Sequence, residues 1–394
     1  MKRRCLDLIN FHYSIPTEIF FGKDQIGVLG KNIRKYGSKV LLVYGGGSIK
    51  RNGIYDAAVK ILKENKIKFW ELSGVDPNPR ISSVRQGVQI CRENRIDFIL
   101  AIGGGSVIDC SKVISAGFYY GGDPWDIVTD PSKIKKALPV GSILTLAATG
   151  SEMDIFAVIT NEDTREKLGT RSQCIIPRFS ILDPTYTFTV SKKQTAAGTA
   201  DIMSHILEIY FNNTEGAYLQ DRMAEALLST CIKYGPIALE HPDSYEARAN
   251  LMWTSSLAIN GLLTYGKVKG WSVHPMEHEL SAFYDITHGV GLAILTPFWM
   301  EYVLDENTVD SFAGYGINVW NIDENEDKFA VARSAIEKTR EFFNLLGLPS
   351  RLSDLNIGQE NFEKMAEGAT RAGKIGEFKP LSKDDVINIY KAAL

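Results

Sequence analysis

Only six histidines occur among 394 residues, and four of them, His205, His274, His278 and His288, fall inside two short windows. In Ala200-Asp201-Ile202-Met203-Ser204-His205 a carboxylate and an imidazole stand four residues apart. On a helix they share one face, one turn apart, and both can reach one ion. The second window, Trp271 to Gly289, places His274 and His278 at the same spacing, with His288 beyond a break, so a further segment returns toward the same point. A D-x-x-x-H pair alone is more often a surface ion pair than a ligand pair, and it is the second window that gives the first its weight. One carboxylate with three imidazoles is a set of borderline ligands that suits Fe2+ or Zn2+ and is poor for Ca2+ or Mg2+, which want all-oxygen shells. It leaves a position open for a substrate oxygen. Glu277 and Glu279 point off the His274/His278 face and are expected to support the ligands or the fold. His12 and His241 sit in turn-like surroundings and read as surface residues.

A second chemistry is suggested by glycine-rich turns that follow strand-like runs. Gly45-Gly46-Gly47-Ser48 comes after the first and Gly103-Gly104-Gly105-Ser106 after a later one. Glycines there let backbone N–H groups approach phosphate oxygens, and the segment after Ser106 offers a helix N-terminus to the charge. Neither turn is G-x-G-x-x-G, and a triple glycine can be a tight corner and no more. A third segment, Thr145 to Glu152 with Thr149, Gly150 and Ser151, also follows a strand, at the edge where open sheets bind ligands. An acidic residue at the end of the adenosine-side strand would bond the ribose hydroxyls and repel a 2′-phosphate, but Gly45 stands there. Ser48, Lys50 and Arg51 follow, a hydroxyl and two cations able to accept that phosphate. The expectation is NADP(H) in preference to NAD(H).

Two kinds of element must position these residues. From about Lys39 to Asp183 short β-branched runs alternate with helix-period segments, the pattern of parallel α/β structure. The expected strands are Val40–Tyr44, Lys68–Leu72, Phe98–Ile102, Gly141–Leu146 and Phe156–Thr160, with helices over Gly53–Glu64, Ile81–Asn94 and Val107–Phe118. After Asp183-Pro184 strand-like runs nearly vanish. Segments such as Lys192–Asn212, Gly216–Tyr234, Ser244–Leu263 and Ala330–Leu346 predict an all-α second half. Ser191 can cap the first long helix, which divides the chain into residues 1–190, a Rossmann-like nucleotide-binding domain, and 191–394, a helical metal-binding domain. The length favours two domains over one. With 44% apolar and 23% charged residues and a formal charge of −3, nothing calls for a nucleic-acid partner. Five cysteines without a C-x-x-C pair fit a reducing cytoplasm, and no apolar run has the length of a signal peptide core or membrane span.

Taken together, these segments resemble the iron-containing (group III) alcohol dehydrogenase family, and within it the NADPH-dependent butanol dehydrogenase-like branch. The resemblance runs from about Tyr13 to beyond Trp320. It is carried by Val43 to Ser48, Gly103 to Ser106 with Asp109 and Lys112, Ala148 to Glu152, Leu182-Asp183-Pro184, Asp201 with His205, and His274 to Gly289. It implies a nucleotide domain and a helical domain of dehydroquinate synthase-like architecture, with a cleft holding cofactor and metal. It also implies that Asp201, His205, His274 and His288 are the ligands of Fe2+ or Zn2+, and that His278 is a non-ligand histidine close to the nicotinamide. By the same likeness Gly45, Gly46, Ser48, Gly104, Gly105, Ser106, Asp109, Thr145, Thr149, Lys167 and Leu182 belong to the cofactor site, and Asn78 lies near the nucleotide.

The expected activity is reduction of short- to medium-chain aldehydes, or oxidation of the matching primary alcohols. A carbonyl polarised by the cation takes hydride from C4 of NADPH, and His278 or a water chain supplies the proton. Glycerol-phosphate dehydrogenase-like and dehydroquinate synthase-like enzymes share this architecture but handle anionic substrates. Around His274 to Thr296 the sequence has no basic cluster and is instead rich in Phe283, Tyr284, Ile286, Leu292 and Phe298. A non-catalytic metal or nucleotide sensor is the third reading, and the complete ligand set argues against it. A homodimer is expected, with Thr17–Phe21 as a strand able to pair across it.

Overall fold

The β-branched runs of the first half assemble as a six-stranded parallel sheet, in a computed structural model that describes residues 7–394. The basic start at residues 1–6, with Cys5, lies outside the described residues. The chain forms two compact units: Ser14–Val190 with Pro242–Ser256, and Ser191–His241 with Leu257–Leu394 and the described residues up to Tyr13.

In the α/β unit the elements run β1 (Glu18–Phe21), α1 (Leu29–Arg34), β2 (Lys39–Tyr44), α2 (Ser48–Arg51), α3 (Ile54–Glu64), β3 (Lys68–Leu72), α4 (Ile81–Asn94), β4 (Phe98–Gly103), α5 (Gly105–Gly117), α6 (Trp125–Thr129), β5 (Val140–Leu144), β6 (Phe156–Asn161), β7 (Glu166–Arg171) and β8 (Phe179–Leu182). Sheet order is β1-β8-β5-β4-β2-β3. The central strands read as unbroken apolar runs because both faces are covered. Leu41, Val43, Ile99 and Ala101 enter a core shared with Val84 and Val88 of α4 and Val113 and Ile114 of α5. Val40, Leu42, Phe98 and Leu100 enter a second core with Leu29 and Ile33 of α1 and Ala58 and Leu62 of α3.

Two expectations change here, the place of Phe156–Thr160 and that of Pro242–Ser256. Phe156–Thr160 is a strand, but as β6 it pairs antiparallel with β7 in a hairpin outside the main sheet. Its partner Glu166-Lys-Leu-Gly-Thr-Arg is too polar to signal a strand by itself, and pairing supplies what propensity lacks. The strand expected within Thr17–Phe21 is present as β1, at the edge of the sheet, and pairs parallel with β8 on one side, Glu18 against Phe179 through Phe21 against Leu182. Pro242–Ser256, expected in the helical half, groups with the α/β unit. There Trp253 meets Phe21 edge-on at 5.8 Å, Lys23 lies over the Tyr245 ring and Met252 enters the first core.

The helical unit contains α7 (Lys192–Tyr210), α8 (Tyr218–Glu240), α10 (Val273–Tyr284), α11 (His288–Val303), α12 (Val309–Trp320), α13 (Lys328–Leu345), α14 (Phe362–Ala369) and α15 (Lys383–Ala392). Between α8 and α10, α9 (Tyr245–Ile259) begins in the α/β unit. Ser191 caps α7 by accepting from Gln194 N at 3.2 Å. From Thr195 to Tyr210 every residue of α7 is buried, so it is the axis of the unit, with α8 and α11 packed on it. No described helix is long and apolar enough to cross a membrane.

Candidate metal centre and nucleotide loops

A helix buried on all sides normally carries apolar residues all round, yet one face of α7 holds Asp201, His205 and Glu208, at i, i+4 and i+7. Two further segments bring imidazoles to that face. His274 lies in the first turn of α10, and His288 opens α11. Gly289 makes the second approach possible, because a Cβ there would collide with the Ala197 carbonyl of α7.

Asp201 Oδ1 is the hub. It lies 3.5 Å from His205 Nδ1, 3.9 Å from His274 Nε2 and 3.7 Å from His288 Nε2. Such separations are what neighbouring ligand atoms show when each sits roughly 2.0–2.2 Å from one cation. The rings crowd together as well, His205 on His274 at 4.5 Å and His274 on His288 at 5.3 Å. His205 Nδ1 and His274 Nε2 are buried and have no hydrogen-bond partner, which a folded interior tolerates poorly unless something else satisfies them. Burial, then the nearby His274 and His288, holds the His205 imidazole well below its usual pKa, so it stays neutral and keeps a lone pair to offer. The donor set therefore fits a borderline divalent cation.

Glu208 accepts from His274 Nδ1 at 2.6 Å, and Glu277 is bonded to His288 Nδ1. Each contact turns the opposite ring nitrogen toward Asp201. Burial lowers the His274 pKa, but its bond to Glu208 together with the charges of Glu208, Asp201 and Glu277 outweighs this and the net shift is upward. Glu277 thus supports a histidine of the cluster, and Glu279 supports the fold through its ion pair with Arg371 at 2.6 Å. His278, half-buried, stands 5.5 Å ring to ring from His288 and 6.3 Å from His274. Its atoms group with Glu277 and His288, while Asp201, His205 and His274 form the fully buried group.

In the α/β unit β2 and β4 are neighbours, yet the chain leaves β2 for β3 on one side and β4 for β5 on the other. Their carboxyl ends therefore mark a switch point where open sheets take ligands. Gly45 to Ser48 extends one strand end and Gly103 to Ser106 the other. Gly47 has φ +91°, a conformation costly for other residues. A Cβ on Gly105 would collide with Thr149 Oγ1, and one on Gly104 would press Leu146, so the Thr145 to Thr149 segment lies against this turn. Thr145 N donates to Gly103 O at 3.0 Å. Ser106 Oγ bonds Pro77 O and draws in the loop that contains the buried Asn78. Gly46 and Ser48 are exposed.

Other expected contacts sit deeper. Asp109 is spent inside the unit, accepting from Ser151 Oγ at 2.5 Å and Val158 N at 2.8 Å. Leu182 is fully buried and its carbonyl accepts from Gly22 N. Lys167 is buried on β7, paired in register with Thr160.

Residues 16–184 match the family model of iron-containing alcohol dehydrogenase, and residues 195–394 match the C-terminal model of the Fe-containing alcohol dehydrogenase family. The chain belongs to the iron-containing alcohol dehydrogenases. By that membership it is an NAD(P)-dependent alcohol dehydrogenase. It is 65% identical to the NADH-dependent butanol dehydrogenase A of Clostridium acetobutylicum over 98% of this chain and 99% of the relative. It is 38% identical to the NADPH-dependent aldehyde reductase YqhD of Escherichia coli over 98% and 99%. The solved structure of an NADH-dependent butanol dehydrogenase A from Thermotoga maritima superposes with a TM-score of 0.94 at 38% identity, covering 98% of this chain and 99% of that one. The α/β half with a parallel sheet and the helical half are thus those of this dehydrogenase family.

The dehydrogenase also has a buried charge cluster that sequence reading did not assemble. Lys112, fully buried, bonds Asp154 Oδ1 and Phe156 O, each at 2.7 Å. Next to it Glu152 accepts from Ser256 Oγ. With Asp109 these groups fasten the Thr149 to Asp154 turn to α5 from behind. Burial pushes the Glu152 carboxyl up to about 7 and that of Asp109 to about 6, although hydrogen bonds and Lys112 pull the other way. A carboxyl whose folded pKa is raised contributes stability below its unfolded value, near 4.5 for Glu152, and loses it as pH rises through about 7. Glu152→Gln keeps an acceptor for Ser256 and never ionises. It should therefore match the parent at pH 5 and exceed it at pH 8 by on the order of 2–3 kcal/mol. Thermal melts of both proteins across that range test this, and a melting-temperature gap that does not widen with pH would contradict it.

Proposed function

We propose that this enzyme interconverts short- to medium-chain primary alcohols and aldehydes at a cation held by Asp201, His205, His274 and His288. The observation that carries the reading is the convergence of the three imidazoles on Asp201 Oδ1 within 3.9 Å, with buried ring nitrogens of His205 and His274 left to a ligand. The cation, when bound, supplies Lewis acidity to a carbonyl oxygen, and the nicotinamide supplies hydride. The chain's own part is to orient the ligand nitrogens, with the His205 imidazole kept neutral, and to bring a proton to the product oxygen from the His278 imidazole. Iron is the metal we favour from the family; zinc suits the same donors. Butanal and butanol are the substrates of choice, supported by the 65% identical relatives named butanol dehydrogenases.

The nucleotide lies along Gly45 to Ser48, Gly103 to Ser106, Thr145 and Thr149 in this reading, with Asp109 acting through Ser151 and the Asn78 loop behind. NADP(H) is accepted because no carboxylate ends β2. The preference over NAD(H) is narrow, because Lys50 is drawn over the rings of Tyr44 and Tyr55, whose hydroxyls donate to Glu71. The 65% identical relatives are named for NADH and the E. coli relative for NADPH. We place the protein in the cytoplasm, where the thiols of Cys91, Cys110, Cys174 and Cys231 remain reduced. We assign it a homodimer through the outer edge of β1, which pairs with β8 on its other side.

Absorbance of the reduced nicotinamide, followed with butanal and either cofactor before and after chelation, tests the assignment. We expect turnover with both cofactors, kcat/KM for NADPH equal to or up to about tenfold above that for NADH, and loss on chelation reversed by Fe2+ or Zn2+. Activity untouched by complete metal removal defeats the cation reading. A preference of more than tenfold for NADH defeats the NADP(H) reading, and cofactor binding without turnover of any aldehyde returns the sensor alternative.

A further inference from the structure

Glu208 is 95% buried, on the α7 face that carries Asp201 and His205, and both of its carboxylate oxygens are saturated by the start of another helix. Oε2 accepts from the backbone N–H of Ser272 and, at 2.9 Å, from that of Val273. Oε1 accepts from the backbone N–H of His274 at 2.9 Å and from its ring Nδ1 at 2.6 Å. Three successive amides at a helix start are donors that the helix cannot satisfy itself. Ser272, at the cap position of α10, gives no side-chain cap, so a carboxylate from α7 does that work. The fourth donor is different in kind. A carboxylate can only accept, so a neutral His274 must carry its proton on Nδ1 and leave the Nε2 lone pair bare, aimed at Asp201. Glu277 makes the matching bond to His288 Nδ1, and its Oε1 accepts from the Ser281 hydroxyl.

We propose that Glu208 is a positioning residue for cation binding: it locks α10 onto α7 and selects the His274 tautomer whose Nε2 can bind the metal. This rests on the metal-site reading above. A glutamine at the same place separates the two jobs. Its oxygen, in the place of Oε2, still accepts from the Ser272 and Val273 amides, while its NH2 group takes the place of Oε1, gives up the His274 amide and is presented to Nδ1; this favours the tautomer with hydrogen on Nε2, and that nitrogen then has no lone pair for a cation.

Wild type, Glu208→Gln and Glu208→Asp, all full-length and stripped of metal, are titrated with Zn2+ against a chromophoric chelator. In parallel, 15N spectra of histidine-labelled apoprotein at alkaline pH report the tautomer, with the His274 signal assigned by its loss in His274→Gln. We expect Glu208→Gln to bind Zn2+ about 10- to 100-fold more weakly with the His274 proton moved to Nε2. Glu208→Asp, still an acceptor-only group, should keep the wild-type tautomer and recover part of the affinity. Unchanged Zn2+ affinity in Glu208→Gln, or wild-type His274 protonated on Nε2, overturns the proposal. If Glu208→Gln does not fold, the wild-type spectrum alone decides the tautomer. Absence of Zn2+ binding by wild type itself would instead bring down the metal-site reading, so the two failures are distinguishable.

Discussion

Replacing Asp201 by asparagine should lower kcat/KM for butanal by at least about 10^3-fold and reduce bound cation from about one per chain to less than about one tenth. Asp201 is the only carboxylate among the four groups, and its Oδ1 faces all three histidine nitrogens at 3.5–3.9 Å. Asparagine keeps the shape of the side chain and removes the charge that balances a divalent ion against three neutral imidazoles. Lewis-acid assistance to a carbonyl is worth several kcal/mol, and about 1.4 kcal/mol corresponds to tenfold in rate, so 10^3-fold is a lower bound if the cation is lost. Elemental analysis of the purified variant, read beside its kinetics, separates binding from chemistry. A variant that keeps a full complement of metal and near-normal turnover would show that Asp201 is not a ligand.

His278→Ala tests the other half of the site and should give a different signature. His278 shares the turn spacing of His274 but stays outside the fully buried group formed by Asp201, His205 and His274. If it delivers the proton, alanine should cost about 10²- to 10⁴-fold in kcat while leaving metal content near that of the parent. The pH profile should also lose the limb that reports an imidazole, and small imidazole-like acids in the buffer should restore part of the rate. Should the metal leave with the side chain, His278 would have to be counted among the ligands. The contrast with Asp201→Asn is diagnostic: one variant loses the ion, the other retains it and turns over slowly.

The tests differ because the four histidines near α7 occupy different environments, and the sequence showed only part of that. The spacing of Asp201 and His205 and the His274 to His288 window were legible as a candidate cation site, because ligands on a helix must recur at turn intervals. Glu208 was legible in principle. It falls seven residues after Asp201, on the same face of a segment otherwise rich in apolar residues, and a charge there has to have a partner. Its partner, the first turn of α10, lies 64 or more residues away in the chain, and no local pattern pairs them. The same limit hid the cluster of Lys112, Asp154, Asp109 and Glu152. In sequence Asp109 reads as a cofactor residue and Lys112 and Glu152 only as parts of family segments, and it is burial against β6 and α9 that makes the four a network.

By itself, then, the chain's sequence determined which residues can do chemistry and the elements that carry them. Residue type and periodicity are local properties, set by hydrophobic faces and by what glycine, histidine and carboxylates can do. Tertiary structure alone decided that β6 leaves the sheet for a hairpin, that Pro242–Ser256 joins the α/β unit, and which carboxylate orients which imidazole. Those outcomes depend on contacts between residues far apart in the chain, where packing and the need to satisfy buried polar groups override local preference.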